Sequence, residues 1–132
     1  MKTYVITSAI IKNNDKFLIA KRASTKKFAP DKWEFISGFI DTKESAEEII
    51  LRELQEELRV QGKIEFQGQP YQITDKEAQW IIIPFIINIS STKLTINPAE
   101  HSEIKWVSSD DLSNYPDLSQ DIKELKKQGI LK

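Results

Sequence analysis

Apolar and β-branched residues run from Thr3 to Lys12, stop at the turn cluster Asn13-Asn14-Asp15, and resume from Lys16 to Arg22. That pattern predicts two strands joined as a hairpin. Ala23 to Lys32 is polar and reads as a loop, and Trp33 to Ile36 as a short strand. The period then changes. From Ser45 onward the apolar positions Ile50, Leu51, Leu54 and Leu58 recur at helical spacing. Lys63–Gln67 and Tyr71–Thr74 read as further strands. Gln79–Ile89 is the most apolar segment, and Pro84 inside it predicts an edge strand or a bulge. Ile104–Val107 is a last strand, and Leu118–Gln128 a closing helix stopped by Gly129. Strands mixed with two helices predict an α/β layer structure.

The first helix carries an unusual load. Ser45 followed by Glu48 has capping-box spacing, so the helix is expected to start near Ser45. At about 100° per residue, Glu53, Glu56 and Glu57 fall within an arc of roughly 100° beside the apolar face. Ile49 falls on the acidic side, with packing near the helix start as its one explanation. Arg52 stands four residues before Glu56, where it can orient a carboxylate. Such a strip of carboxylates is costly without a cation. Oxygen-ligated Mg²⁺ bridging to phosphates is the chemistry that uses one; a solvated acidic face is the plain alternative.

Composition narrows the setting. The 132 residues suffice for one domain, expected to span 1–132. Lys and Arg number 19 against 20 Asp and Glu, a net charge of −1 that argues against a general nucleic-acid binder. With no cysteine there is no disulfide and no thiolate site, and the single histidine, His101, rules out a multi-histidine metal site. No secretory signal or membrane-spanning apolar run is visible. The expectation is a cytoplasmic enzyme with a small-molecule partner and no membrane or nucleic-acid polymer partner.

The stretch Gly38, five residues, Glu44, seven residues, Arg52-Glu53, Leu54, Gln55, Glu56-Glu57, Leu58, Arg59, Val60 resembles the signature box of the Nudix hydrolases. Arg59 stands where the box has its second glycine, and Ile36-Ser37 where Pro-Gly usually precedes the first. An arginine in a left-handed helix exit costs about 1 kcal/mol, and Gly62 is the alternative terminator. No carboxylate of the box is missing.

The resemblance implies an α/β/α sandwich with a mixed sheet, covering most of the chain. It implies Mg²⁺ or Mn²⁺ held by Glu53, Glu56 and Glu57, helped by Glu100 and the Ser37 carbonyl. Catalysis would be hydrolysis of a nucleoside diphosphate derivative, with Glu53 as the base, Glu100 as its rival, and Arg52 aligning the cage through Glu44 or Glu56. Arg22 and Phe35 match the positions where MutT-like members contact phosphate or base. Lys21, Arg22, Lys26, Lys27 and Lys32 cluster before Trp33, where a polyphosphate would find counter-charge, with solvated loop charge the plainer reading of the lysines. Trp33 and Phe35 are read as pointing to opposite faces, Trp33 as core, and Trp80 as a stacking candidate that fits core packing better. Asp117, Ser119, Gln120 and Asp121 are the candidates to read the base. A MutT-like nucleoside triphosphate pyrophosphohydrolase, with 8-oxo-dGTP among its substrates, is the leading reading. ADP-ribose, nucleotide sugars and dinucleoside polyphosphates use the same box, and a non-catalytic nucleotide sensor is the alternative of another class.

Overall fold

The hairpin forms where the sequence predicts it. β1 (Lys2–Asn13) turns through Asn14, which takes a left-handed φ of 57°, into β2 (Lys16–Arg22). The computed structural model describes residues 1–41 and 43–132. β3 (Trp33–Glu34) pairs with β2, and β4 (Ile36–Phe39) crosses to pair with β1. The single strand expected over Trp33–Ile36 is therefore split at Phe35. Helix α1 (Ala46–Leu58) follows, then β5 (Gly62–Gln67), β6 (Tyr71–Thr74), β7 (Ala78–Ile89) and β8 (His101–Ser108). Two short 3₁₀ turns precede α2 (Ser119–Lys127). Among the described residues, no helix is long and apolar enough to cross a membrane.

The sheet is mixed. β7 runs parallel to β1, while β5 and β6 pair antiparallel with the far edge of β7, and β8 flanks β2. Alternation sorts the two core strands between layers. Ile10, Ile82 and Ile86 face one cluster with Ile122 and Leu125 of α2. Ala9, Ile11, Phe85 and Ile87 face the other with Ile50, Leu54 and Leu58 of α1. The result is the expected α/β/α sandwich.

Three expectations need correcting. β7 is an interior strand, not an edge, despite Pro84. The Pro84 carbonyl accepts from Gly68 N at 2.8 Å, so its missing N–H also points toward β5 and β6. There the ladder passes from Gln67 opposite Phe85 to Tyr71 opposite Ile82, and no pair is lost. Trp33 and Phe35 were expected on opposite faces, but residues two apart along a strand share one, and both join the α2-side cluster. Finally, Arg59 itself terminates α1, at φ 57° and ψ 42°. Gly62 serves packing: a Cβ there would lie 2.6 Å from Leu54 Cδ1. Because Arg59 is exposed, Arg59→Gly should relieve the left-handed strain and raise stability by roughly 0.5–1 kcal/mol. Denaturant midpoints check this; a lowered midpoint for the glycine variant would contradict it.

Candidate active site

The helix that carries the carboxylates is fixed at both its start and its flank. Ser45 Oγ accepts from Glu48 N at 3.2 Å and Glu48 Oε1 accepts from Ser45 N at 3.0 Å, completing the capping box. Gly38 of β4 lets the helix approach: a Cβ there would lie 2.8 Å from Glu53 Cγ and 3.0 Å from Ile49 Cγ2. This gives Ile49 its role, fully buried against the glycine strand. The same contact holds the Glu53 side chain at the sheet edge.

Arg52 performs both pairings expected of it. Its Nε and Nη2 donate to Glu44 at 3.1 and 2.9 Å, and its Nη1 to Glu56 at 3.1 Å. Glu44 thus anchors Arg52, and neither residue lines the cleft described below. Glu53, half-buried between Glu57 and Glu56, has its carboxyl pushed up to about 7, by burial first and then by those two charges.

Two residues passed over in the sequence complete the site. β3 and β8 flank the end of β2, which brings Glu34 and His101 beside Arg22. Arg22 Nη1 reaches both Glu34 oxygens at 3.2 Å, and its Nε donates to the Phe28 carbonyl at 2.8 Å. His101, nearly sealed from solvent, lies between two carboxylates: Nε2 is 2.7 Å from Glu34 and Nδ1 2.9 Å from Glu57. Burial opposes its charge, but the two carboxylates outweigh it and push the imidazole up to about 9. The signal available in sequence was a lone histidine directly after Glu100, and a glutamate set between two aromatics.

These residues line one cleft of about 470 Å³. Its acidic end holds Glu53, Glu56, Glu57, Glu100 and Ser37, whose hydroxyl is 3.4 Å from Glu34. Among the described residues, no three carboxylate or imidazole groups converge tightly enough to hold a metal as they stand. The reason is visible in the ion pairs: Glu56 leans to Arg52, Glu57 to His101, and Glu100 to Lys26 at 2.5 Å. The other end is apolar and aromatic. Phe28, Phe39 and Trp80 meet there with rings 5.4 to 6.1 Å apart, and Phe35 and Ile82 form the inner wall. Trp80 therefore borders the cleft as well as the core.

The candidates near α2 are unequal. Gln120 is spent on the Thr74 backbone, accepting from N at 3.3 Å and donating to O at 3.1 Å. Asp117 accepts from Trp33 N at 3.0 Å, and Asp121 from the Tyr71 hydroxyl at 2.7 Å. Burial pushes Asp121 up to about 6. Ser119 does not line the cleft.

Two raised groups give a pH prediction for the protein kept in chelator. Glu53 (4.5 to about 7) and His101 (6.5 to about 9) each bind protons more tightly when folded. Each contributes stability below its unfolded value and loses it as pH rises through the folded one. Thermal midpoints should fall steadily between pH 5 and pH 9, on the order of this window. A midpoint rising across that range would contradict the assignment.

Residues 2–128 match the family model described as the NUDIX domain. The chain is 28% identical over 123 residues to the CTP pyrophosphohydrolase of Escherichia coli K12, covering 92% of this chain and 88% of that one. It is 24% identical over a 141-residue alignment to the nucleoside triphosphatase NudI of Escherichia coli O139:H28, covering 99% and 100%. Its fold superimposes on the crystal structure of a MutT protein from Methanosarcina mazei with a TM-score of 0.82, at 20% identity, over 97% of this chain and 96% of that one.

Proposed function

The chain belongs to the NUDIX domain family, as a hydrolase of pyrophosphate bonds, and from that premise we propose that it cleaves nucleoside triphosphates to monophosphate and pyrophosphate. The observation that carries this reading is one continuous cleft with carboxylates at one end and aromatic rings at the other. Its volume of about 470 Å³ suits a nucleotide. The names of the two curated relatives both point to nucleoside triphosphates. Residues 1–132 act as a single domain, in the cytoplasm.

Hydrolases of this family use divalent metal ions, and the donors here suit one. They are all hard oxygens, with Glu53, Glu56, Glu57, Glu100 and the Ser37 carbonyl as the proposed ligands. Glu57 Oε2, 2.9 Å from His101 Nδ1, is buried without a well-aligned hydrogen bond, and burial, then the charges of Glu57 and Glu56, pushes Glu53 up to about 7, a penalty that a cation relieves. When bound, Mg²⁺ or Mn²⁺ supplies charge neutralisation of the diphosphate and an acidified water.

The protein's own groups do the rest. Glu53 accepts the proton of the attacking water at its carboxylate, which the close approach of Gly38 holds at the sheet edge facing the cleft. Glu100 is the rival, and in the free protein its carboxylate is turned to Lys26. Arg52, locked on Glu44, holds Glu56 in line. His101 and Glu34 hold Glu57 from behind. Arg22 supports this frame through Glu34, and Phe35 closes the inner wall under the base. Asp117 and Asp121 both line the cleft and are the groups offered to read the base, each keeping one carboxylate oxygen beyond its bond to Trp33 N or the Tyr71 hydroxyl. The test is a metal-dependent panel of ordinary and oxidised nucleoside triphosphates, ADP-ribose, nucleotide sugars and dinucleoside polyphosphates. Preferred cleavage of one triphosphate supports the proposal. Cleavage confined to ADP-ribose or sugars overturns the substrate, and tight binding without turnover would identify a sensor.

A further inference from the structure

We infer that Lys26 is the phosphate-binding cation of the cleft, and that it exchanges its partner Glu100 for the substrate's polyphosphate. Four cationic side chains line the cleft: Arg22, Lys26, Lys32 and His101, the last held between Glu34 and Glu57. Arg22 is committed, with two bonds to Glu34 and a third to the Phe28 carbonyl. Lys32 is largely exposed and stands 3.5 Å from Asp117, at the base end. Lys26, at the acidic end, is held by one side-chain bond, to Glu100 Oε2 at 2.5 Å. A lysine reaches its partner on a flexible stem, so the ammonium can swing while the backbone stays.

The backbone around Lys26 is well held. Ala23 N donates to the Glu100 carbonyl at 2.9 Å and Lys26 N to the Ala23 carbonyl at 3.2 Å. Beyond it, Arg22 grips Phe28, and Ala29 and Asp31 take left-handed φ values of 45° and 62°. The loop that looks like solvated charge in sequence is thus pinned over the cleft. Pinning keeps Lys26 within reach of whatever occupies the acidic end.

The exchange follows from charge. Without ligand, Lys26 neutralises Glu100 and prevents it from turning toward Glu53 and Glu57. A divalent cation on the acidic edge competes with Lys26 for that carboxylate, and the released ammonium then meets a bound polyphosphate. Lys26 therefore opposes metal binding in the free protein and favours nucleotide binding. This inference rests on the proposed metal-dependent hydrolysis of a triphosphate.

The opposed signs make the test. Mn²⁺ binding to the metal-free protein is measured by electron paramagnetic resonance, and binding of a non-hydrolysable α,β-methylene triphosphate by calorimetry with metal present. Lys26→Met should bind Mn²⁺ about threefold more tightly. It should bind the analogue roughly tenfold more weakly, while Lys26→Arg stays near wild type. Loss of both affinities would mark Lys26 as a structural residue and overturn the inference, as would no change in either. Thermal midpoints confirm that each variant folds. A wild-type protein that binds neither probe would instead overturn the proposed function itself.

Discussion

Glu57→Gln is expected to lower kcat roughly 10³-fold, equivalent to about 4 kcal/mol at the transition state, with little change in fold. Glu57 is 5% exposed and faces both the cleft and His101. Glutamine keeps the shape but loses the charge that would hold a cation, and it cannot accept a proton. Stability should hold, because Glu34 still pairs with His101 at 2.7 Å and the repulsion from Glu53 disappears. Steady-state kinetics decide the matter. A variant turning over at the wild-type rate would remove Glu57 from the site.

The second large effect is on stability. His101→Ala should cost about 3 kcal/mol, because it leaves Glu34 and Glu57 without the cation they share. In a domain of this size that lowers the thermal midpoint by on the order of 10 °C. Arg22 still serves Glu34, so Glu57 bears most of the loss, in a spot almost closed to water. Turnover should fall with it, as Glu57 loses its support. A midpoint within the error of wild type would show that the imidazole is neutral and the clamp inactive.

How much of this was legible in sequence depends on the kind of interaction. Local signals were read well: the capping box at Ser45 and Glu48, the hairpin at Asn14 and the stop at Gly129 are each settled by neighbours in the chain. The box carboxylates and Arg52 were also legible, since their spacing fixes one helix edge. Non-local facts were not. Pro84 signals an edge by local rules, yet sits in an interior strand because its partner strands change opposite it. Glu34 and His101 belong to separate segments, joined only when β3 and β8 close on β2, and the basic cluster before Trp33 did not tell Lys26 from its neighbours. Arg22 was singled out for substrate, while its bonds tie it to Glu34. Gly62 was read as a helix stop, whereas its lack of a side chain makes room for Leu54.

The most direct single measurement is ³¹P NMR of a nucleoside triphosphate, CTP first, incubated with the protein in chelator and then with Mg²⁺. Monophosphate and pyrophosphate appearing in equal amounts only after Mg²⁺ is added, and not with Glu57→Gln, is the expected result. Release of orthophosphate, or turnover indifferent to metal and to Glu57, would contradict the assignment of this acidic edge as the hydrolytic centre.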